Sequence, residues 1–395
     1  MTTPVLTVNR RAATRLRHGH VWVYRSDLVS TDQLPPGSLA VVQDEARKLL
    51  GSALYSSSSQ IAVRMLAGEH LDPANLTDLL RHRLKAAIAY RERIVRDADA
   101  YRVVFSEADG LPGLIVDRYN DILTFQVLTQ AMDREDIRSV VMQTALEDLR
   151  PAAIVERVEP RIRELEKLPP LEEGLRHGEK TSTTFTMNGV RFLFQALAGQ
   201  KTGAFLDQRE NYAAAAQYAR GDALDVFCYQ GGFALHLARV CRQVTAVDSS
   251  RPALEIAEQN EKLNTESLAG GEIEWIEANA FDLMKDYSTA GRQYDTIVLD
   301  PPAFAKSRRA LPTALRGYKE LNLRALKMLR PGGVLVTCSC SFHVAEEEFL
   351  EMLRSAACDA RKTPKVIEKR GQSKDHPVLL AVPETAYLKC VILTV

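Results

Sequence analysis

Asp225-Val226-Phe227-Cys228-Tyr229-Gln230-Gly231-Gly232-Phe233 joins an apolar, strand-forming run to the start of a helix. Four further strand patterns follow: "QVTAVDSS" (243–250), "IEWIEAN" (273–279), "YDTIVLDPP" (294–302) and "GGVLVTCSC" (332–340). Helical patterns separate them, among them 252–263 and 316–329. Strands alternating with helices predict a parallel, doubly wound α/β sheet. Parallel strands are covered on both faces, which accounts for unbroken apolar runs such as "TIVL" and "GVLV". Ligands of such sheets bind beyond the carboxyl ends of the strands, where every motif below falls.

Gly231 and Gly232 stand where the first strand turns into a helix and let a ligand approach the backbone, with Asp225 at the strand's end. Asp248 ends the second strand and suits a ribose hydroxyl pair. The G-x-G-x-x-G fingerprint is missing, which disfavours NAD. Asn279 follows the third strand, where an adenine amino group is read. Asp300-Pro301-Pro302-Ala303-Phe304 leaves the fourth strand, and its two prolines stiffen the loop that carries the acid.

Upstream of the sheet, residues 1–72 read as a small β domain of short strands and turns, with the Ser56–Ser59 run as a flexible loop. Residues 73–180 read as a middle α+β domain and 181–395 as the doubly wound domain. The 395 residues include 46% hydrophobic and 26% charged, a composition that excludes a disordered or fibrous chain. No apolar run approaches the ~18 residues of a membrane-spanning helix, and the first residues carry no secretory pattern. Six irregularly spaced cysteines read as reduced thiols of a cytoplasmic protein, and a structural zinc site is disfavoured. A homodimer is compatible with the sequence.

Eight segments in one order resemble the family of bacterial 23S ribosomal RNA large-subunit methyltransferase I, class I cytosine-C5 enzymes with an N-terminal PUA domain. They are "GHVWVYRSD", "SEADGLPGLIVDRYN", "QKTGAFLDQREN", "DVFCYQGGF", "LDPPAFAKS", "RGYKELN", "TCSCS" and "DHPV…PE…YLK". The resemblance implies S-adenosylmethionine as cofactor and large-subunit ribosomal RNA as partner. It places Lys201–Arg209 against the cofactor, with Phe205, Asp207 and Gln208 as contacts. Asn279 departs from the acid common at its position, and Phe342 from a common glycine.

The implied chemistry is covalent. Cytosine C5 is a poor nucleophile until a thiolate adds to C6. Ser339-Cys340-Ser341 fits the family pattern, so Cys340 is the expected nucleophile and Cys338 a structural thiol. Asp300 is expected to contact the cofactor and to hydrogen-bond the base near N3 and N4. Two other readings are an RNA guanine methyltransferase, which needs no nucleophile, and an RNA-binding or assembly protein without catalysis.

Lys+Arg and Asp+Glu both number 51, a net charge of zero that argues against indiscriminate phosphate binding. The sum hides net +4 in residues 1–30, +5 in 81–96 and +7 in 301–330. In the last block, Lys306, Arg308 and Arg309 flank the Asp-Pro-Pro turn and are expected to contact RNA phosphates. Arg324 and Lys327 read as a solvated helix face.

Overall fold

A computed structural model describes residues 3–30, 34–197, 204–268 and 271–395. The chain divides into two compact units. One comprises residues 1–183, 194–201 and 374–385, and the other comprises 184–193, 202–373 and 386–395.

In the first unit a six-stranded sheet packs Leu6, Val8, Val23, Val42, Ala53 and Val63 into one core. Its element Arg10–Arg17 is a helix where the sequence pattern suggested strands and turns. The Asn9 side chain caps it by accepting from the Ala12 amide, and Ala12 and Ala13 face the core. The serine run is pinned, contrary to the expected flexible loop. Ser56 Oγ donates to Glu166 Oε2 at 2.6 Å and the Ser57 amide to Gln130 Oε1 at 2.8 Å. Long-range partners of this kind leave no trace in local composition.

A five-stranded sheet built from Ala100–Phe105, Leu114–Tyr119, Ile122–Val127, Ala153–Glu156 and Gly174–His177 completes this unit. Helices Leu76–Ile94 and Glu135–Asp148 share its core. The basic residues of 81–96 are largely consumed inside the unit. Arg91 is fully buried, paired with Asp109 and bonded to the Arg102 and Asp375 carbonyls. Arg83 donates to the Gly110 and Leu66 carbonyls, and Lys85 lies beside Glu147 and Asp148.

The second unit holds the doubly wound sheet. Its strands in chain order are β1 (Asp222–Val226), β2 (Gln243–Asp248), β3 (Glu272–Glu277), β4 (Tyr294–Leu299), β5 (Leu329–Ser339), β6 (Lys365–Arg370) and β7 (Lys389–Thr394). They lie in the order β3-β2-β1-β4-β5-β7-β6. The first five are parallel, and β7 runs antiparallel between β5 and β6. Helices α1 (Gly232–Leu237), α2 (Arg251–Lys262), α3 (Ala280–Thr289), α4 (Leu311–Met328) and α5 (Glu346–Ala360) link them. The strand order reverses at β1/β4, so the loops leaving these two strands diverge and open a crevice. No helix among the described residues is long and apolar enough to cross a membrane.

Candidate active site

The loop leaving β1 is bent by two side-chain-bearing residues in the left-handed region, Phe227 (φ 69°) and Tyr229 (φ 50°). Such conformations persist only where the surroundings hold them. Here the Phe227 and Cys228 amides both donate to the Val247 carbonyl on β2. Gly231 adopts φ 86°, and a Cβ there would lie 2.8 Å from the Trp275 ring. At Gly232 a Cβ would lie 2.5 Å from the Tyr212 ring, so neither position accepts a side chain without displacement.

Asp225 is fully buried, and neither carboxylate oxygen makes a hydrogen bond of ordinary geometry. Burial and the neighbouring Asp300 raise its pKa well above the usual carboxylate range, while the Ala234 amide favours its charged form. A buried acceptor pair of this kind calls for a donor or a positive charge from a ligand. Asp248, at the end of β2, accepts from the Tyr229 and Ser250 amides, both at 2.9 Å. The Phe205 ring lies 5.0 Å from that of Tyr229. With Met187, Phe192, Tyr212 and Phe233 they line a cleft that Asp300 also borders. The buried carboxylate, the strand-end acid and the aromatic walls fit the ammonium, ribose and adenine of S-adenosylmethionine. Asn279 caps α3, its Oδ1 accepting from the Phe281 and Asp282 amides. Its oxygen is therefore engaged, and its NH₂ is the group left to meet a base. Lys201 to Gly203 lie outside the described residues.

Asp300 sits on the turn after β4, its amide bonded to the Val226 carbonyl of β1. Gln208 Nε2 donates to Asp300 Oδ1 at 2.9 Å. Asn211 Nδ2 donates to Gln208 Oε1 at 2.7 Å, and Arg370 Nε to Asn211 Oδ1 at 2.8 Å. This relay fixes the amide of Gln208 with its donor toward the acid. Burial, then the Asp207 carboxylate, push the Asp300 pKa up to about 7, against the Gln208 hydrogen bond. Asp207 itself accepts from the Tyr387 hydroxyl at 2.6 Å.

Cys340 follows the last residue of β5, and its thiol donates to the Pro301 carbonyl at 3.8 Å. The proposed nucleophile thus touches the residue next to Asp300. Burial, then the Asp300 and Asp207 carboxylates, push its pKa up to about 12. Cys338 is fully buried, opposite Cys390 on β7. Cys340 keeps partial exposure.

Three residues of this arrangement had no role in the sequence reading. The Tyr318 hydroxyl, on α4, lies 2.9 Å from Ser341 Oγ and accepts from Ser339 Oγ at 3.0 Å. Ser341 Oγ accepts from the Ala305 amide at 3.1 Å, which ties the Asp-Pro-Pro loop to the end of β5. The third, Lys389, is buried at the start of β7. It is the last residue of the "YLK" family segment and opens the apolar run "KCVILTV", two signals that pointed to it without naming a role.

Lys306, Arg308 and Arg309 are exposed and have no ion-pair partner among the described residues. In the same block Lys319 pairs with Asp359, Arg324 with Glu320, and Arg330 with Asp222 and Asp295. Lys306, Arg308 and Arg309 thus remain without an ion pair among the described residues at the loop after Asp-Pro-Pro, as do Arg316 and Lys327 on α4.

Residues 6–67 match the family described as PUA-like domain, and residues 173–392 the family described as S-adenosylmethionine-dependent methyltransferase. The chain is 36% identical over 400 residues to the ribosomal RNA large subunit methyltransferase I of Photobacterium profundum, covering 98% of each protein. The protein of that name from Shewanella denitrificans is 35% identical over 383 residues, 95% of each. A structure described as a SAM-dependent methyltransferase from Streptococcus mutans has the same fold, with a TM-score of 0.83 at 17% identity over 100% of both chains. With identities of this order along nearly the whole of both curated relatives, the chain belongs to the ribosomal RNA large subunit methyltransferase I family and is an S-adenosylmethionine-dependent methyltransferase.

Proposed function

We propose that the protein forms 5-methylcytosine in 23S ribosomal RNA through a covalent bond between Cys340 and cytosine C6. The observation that carries this reading is the Cys340 thiol 3.8 Å from the Pro301 carbonyl, one residue from Asp300. S-adenosylmethionine supplies an electrophilic methyl group carried on a sulfonium. Asp225, Gly231, Gly232, Asp248 and Asn279, beyond β1 to β3, would hold it together with Phe205, Asp207 and Gln208.

The protonation of Asp300 supports the cytosine reading over the guanine one. A carboxyl that keeps its proton to about pH 7 offers one donor and one acceptor side by side. Cytosine presents the complement, an acceptor at N3 and a donor at N4. The Watson–Crick edge of guanine carries donors at N1 and N2 and favours an ionised acid instead. As the S–C6 bond forms, electron density moves onto the ring, and the Asp300 proton meets it at N3. C5 then takes the methyl group as its bond to the sulfonium sulfur breaks; water takes the C5 proton, the S–C6 bond breaks with its electron pair returning to the Cys340 thiolate, and N3 returns its proton to Asp300.

On this reading residues 1–72 are an RNA-binding PUA-like domain, 73–180 a middle α+β domain and 181–395 the methyltransferase domain. Bisulfite sequencing of ribosomal RNA from a deletion strain tests the assignment. Loss of a single 5-methylcytosine from 23S RNA is expected; an unchanged pattern would refute it. Lys306, Arg308 and Arg309 supply the phosphate contacts beside the base. Reversing all three charges should weaken RNA binding and reduce the slope of log affinity against log salt by about 3. An unchanged slope in a filter-binding titration would remove them from the interface.

A further inference from the structure

Lys389 lies opposite Ser339 in the antiparallel pairing of β5 and β7 and is 8% exposed. Its Nζ donates to the Ser341 carbonyl at 2.7 Å and to the Tyr387 carbonyl at 2.9 Å. Neither partner carries a charge, and no carboxylate lies within ion-pair distance of Nζ among the described residues. Lysine is seldom buried without a counter-charge. One of its two anchors is the residue next to Cys340, so the ammonium is fixed to the backbone that carries the thiol.

The charged groups around this pair are few. Asp300 and Asp207 face Cys340 and oppose its ionisation, and Lys389 is the positive group that favours it. Toward Lys389, Cys340 and Glu348 favour the charged ammonium, while burial pulls its pKa down to about 8. The Tyr318 hydroxyl also feels Cys340 and remains protonated, its pKa raised chiefly by burial. A sulfur anion forming at Cys340 would be the missing partner of the buried ammonium.

We propose that Lys389 is the positioning residue of the nucleophile. Its ammonium, pinned to the Ser341 and Tyr387 carbonyls, holds the Cys340–Ser341 segment and supplies the positive charge against which the thiolate forms. The proposal rests on the reading of Cys340 as nucleophile. The balance is simple. Below about pH 8, where the ammonium is charged, the S–H bond breaks and its proton passes to water, the sulfur pair forms the S–C6 bond, and the ammonium keeps its three protons. On elimination the sulfur regains the pair, and the same charge receives it.

The test follows Cys340 alkylation by iodoacetamide against pH in the full-length protein, resolved by peptide mass spectrometry, with exposed Cys358 as internal control. Lys389→Met should lower the Cys340 alkylation rate below about pH 8, where the ammonium is charged, by about 10–100-fold, leaving Cys358 unmoved, because an opposite charge at close range has been removed. Lys389→Arg should restore most of that rate. Should the methionine variant fail to fold, Lys389→Gln, which keeps a donor for the carbonyls without the charge, carries the same expectation. A folded variant whose Cys340 profile superimposes on wild type overturns the proposal. Trapping with 5-fluorocytosine RNA keeps the two ideas apart. A wild-type protein that traps no adduct refutes the nucleophile reading, whereas wild-type trapping with an unchanged Lys389→Met profile refutes the role of Lys389 alone.

Discussion

Cys340→Ala should lower methyl transfer by more than about 10³-fold while leaving S-adenosylmethionine affinity within about twofold of wild type. The two effects separate because the residues proposed to hold the cofactor belong chiefly to β1, β2 and the 205–208 segment, whereas the thiol sits at the end of β5. Without a sulfur to add at C6, the ring has no route to a nucleophilic C5. RNA carrying 5-fluorocytosine supplies a direct readout, because fluorine at C5 blocks the proton loss that precedes thiol release. A denaturation-resistant protein–RNA species is expected with wild type and none with Cys340→Ala. Cys338→Ala is the control: that thiol is fully buried opposite Cys390, so its loss should cost packing and leave trapping intact. Retained turnover in Cys340→Ala would overturn the covalent mechanism.

Asp300→Asn should reduce kcat/KM by about 10²–10³-fold, the scale of losing a donor aimed at developing charge. The pH dependence supplies the sharper readout. Asp300 carries its proton up to about pH 7, so the step that uses this proton weakens as pH rises through that value. The thiol step runs the other way, since deprotonation favours it. Wild type should therefore lose its Asp300-dependent rate above about pH 7, and Asp300→Asn should lack that falling limb. The same shift has a consequence for stability with a definite sign. A carboxyl whose pKa is raised on folding favours the fold while protonated, and that contribution is lost between its unfolded value and about 7. Above pH 7 the asparagine variant should accordingly melt higher than wild type while being nearly inactive. A variant that keeps the wild-type pH limb would remove Asp300 from proton donation to the base.

The architecture of the second unit was legible because its physics is local. Five apolar runs separated by amphipathic helices specify a parallel sheet, and strand ends marked by Gly231, Asp248 and Asp300 announce where a ligand is met. Helix Arg10–Arg17 was missed for a local reason as well. Its apolar face is Ala12, Ala13 and the partly buried Leu16, too small to stand out against four arginines, and the Asn9 cap was overlooked. The serine run misled because its partners, Glu166 and Gln130, lie far away in the chain.

By itself the sequence determined the alternation of strands and helices, the candidate nucleophile in Ser-Cys-Ser and the acid in Asp-Pro-Pro. Hydrophobic periodicity and backbone stiffness act over a few residues and can be read in order. Only the tertiary structure decided which charges are free. It buried Arg91 against Asp109, left Lys306, Arg308 and Arg309 without partners among the described residues, and set a lone ammonium at the carbonyl following Cys340. Electrostatics depends on distance and burial in space, and residues 341 and 389 become neighbours only when β7 pairs with β5.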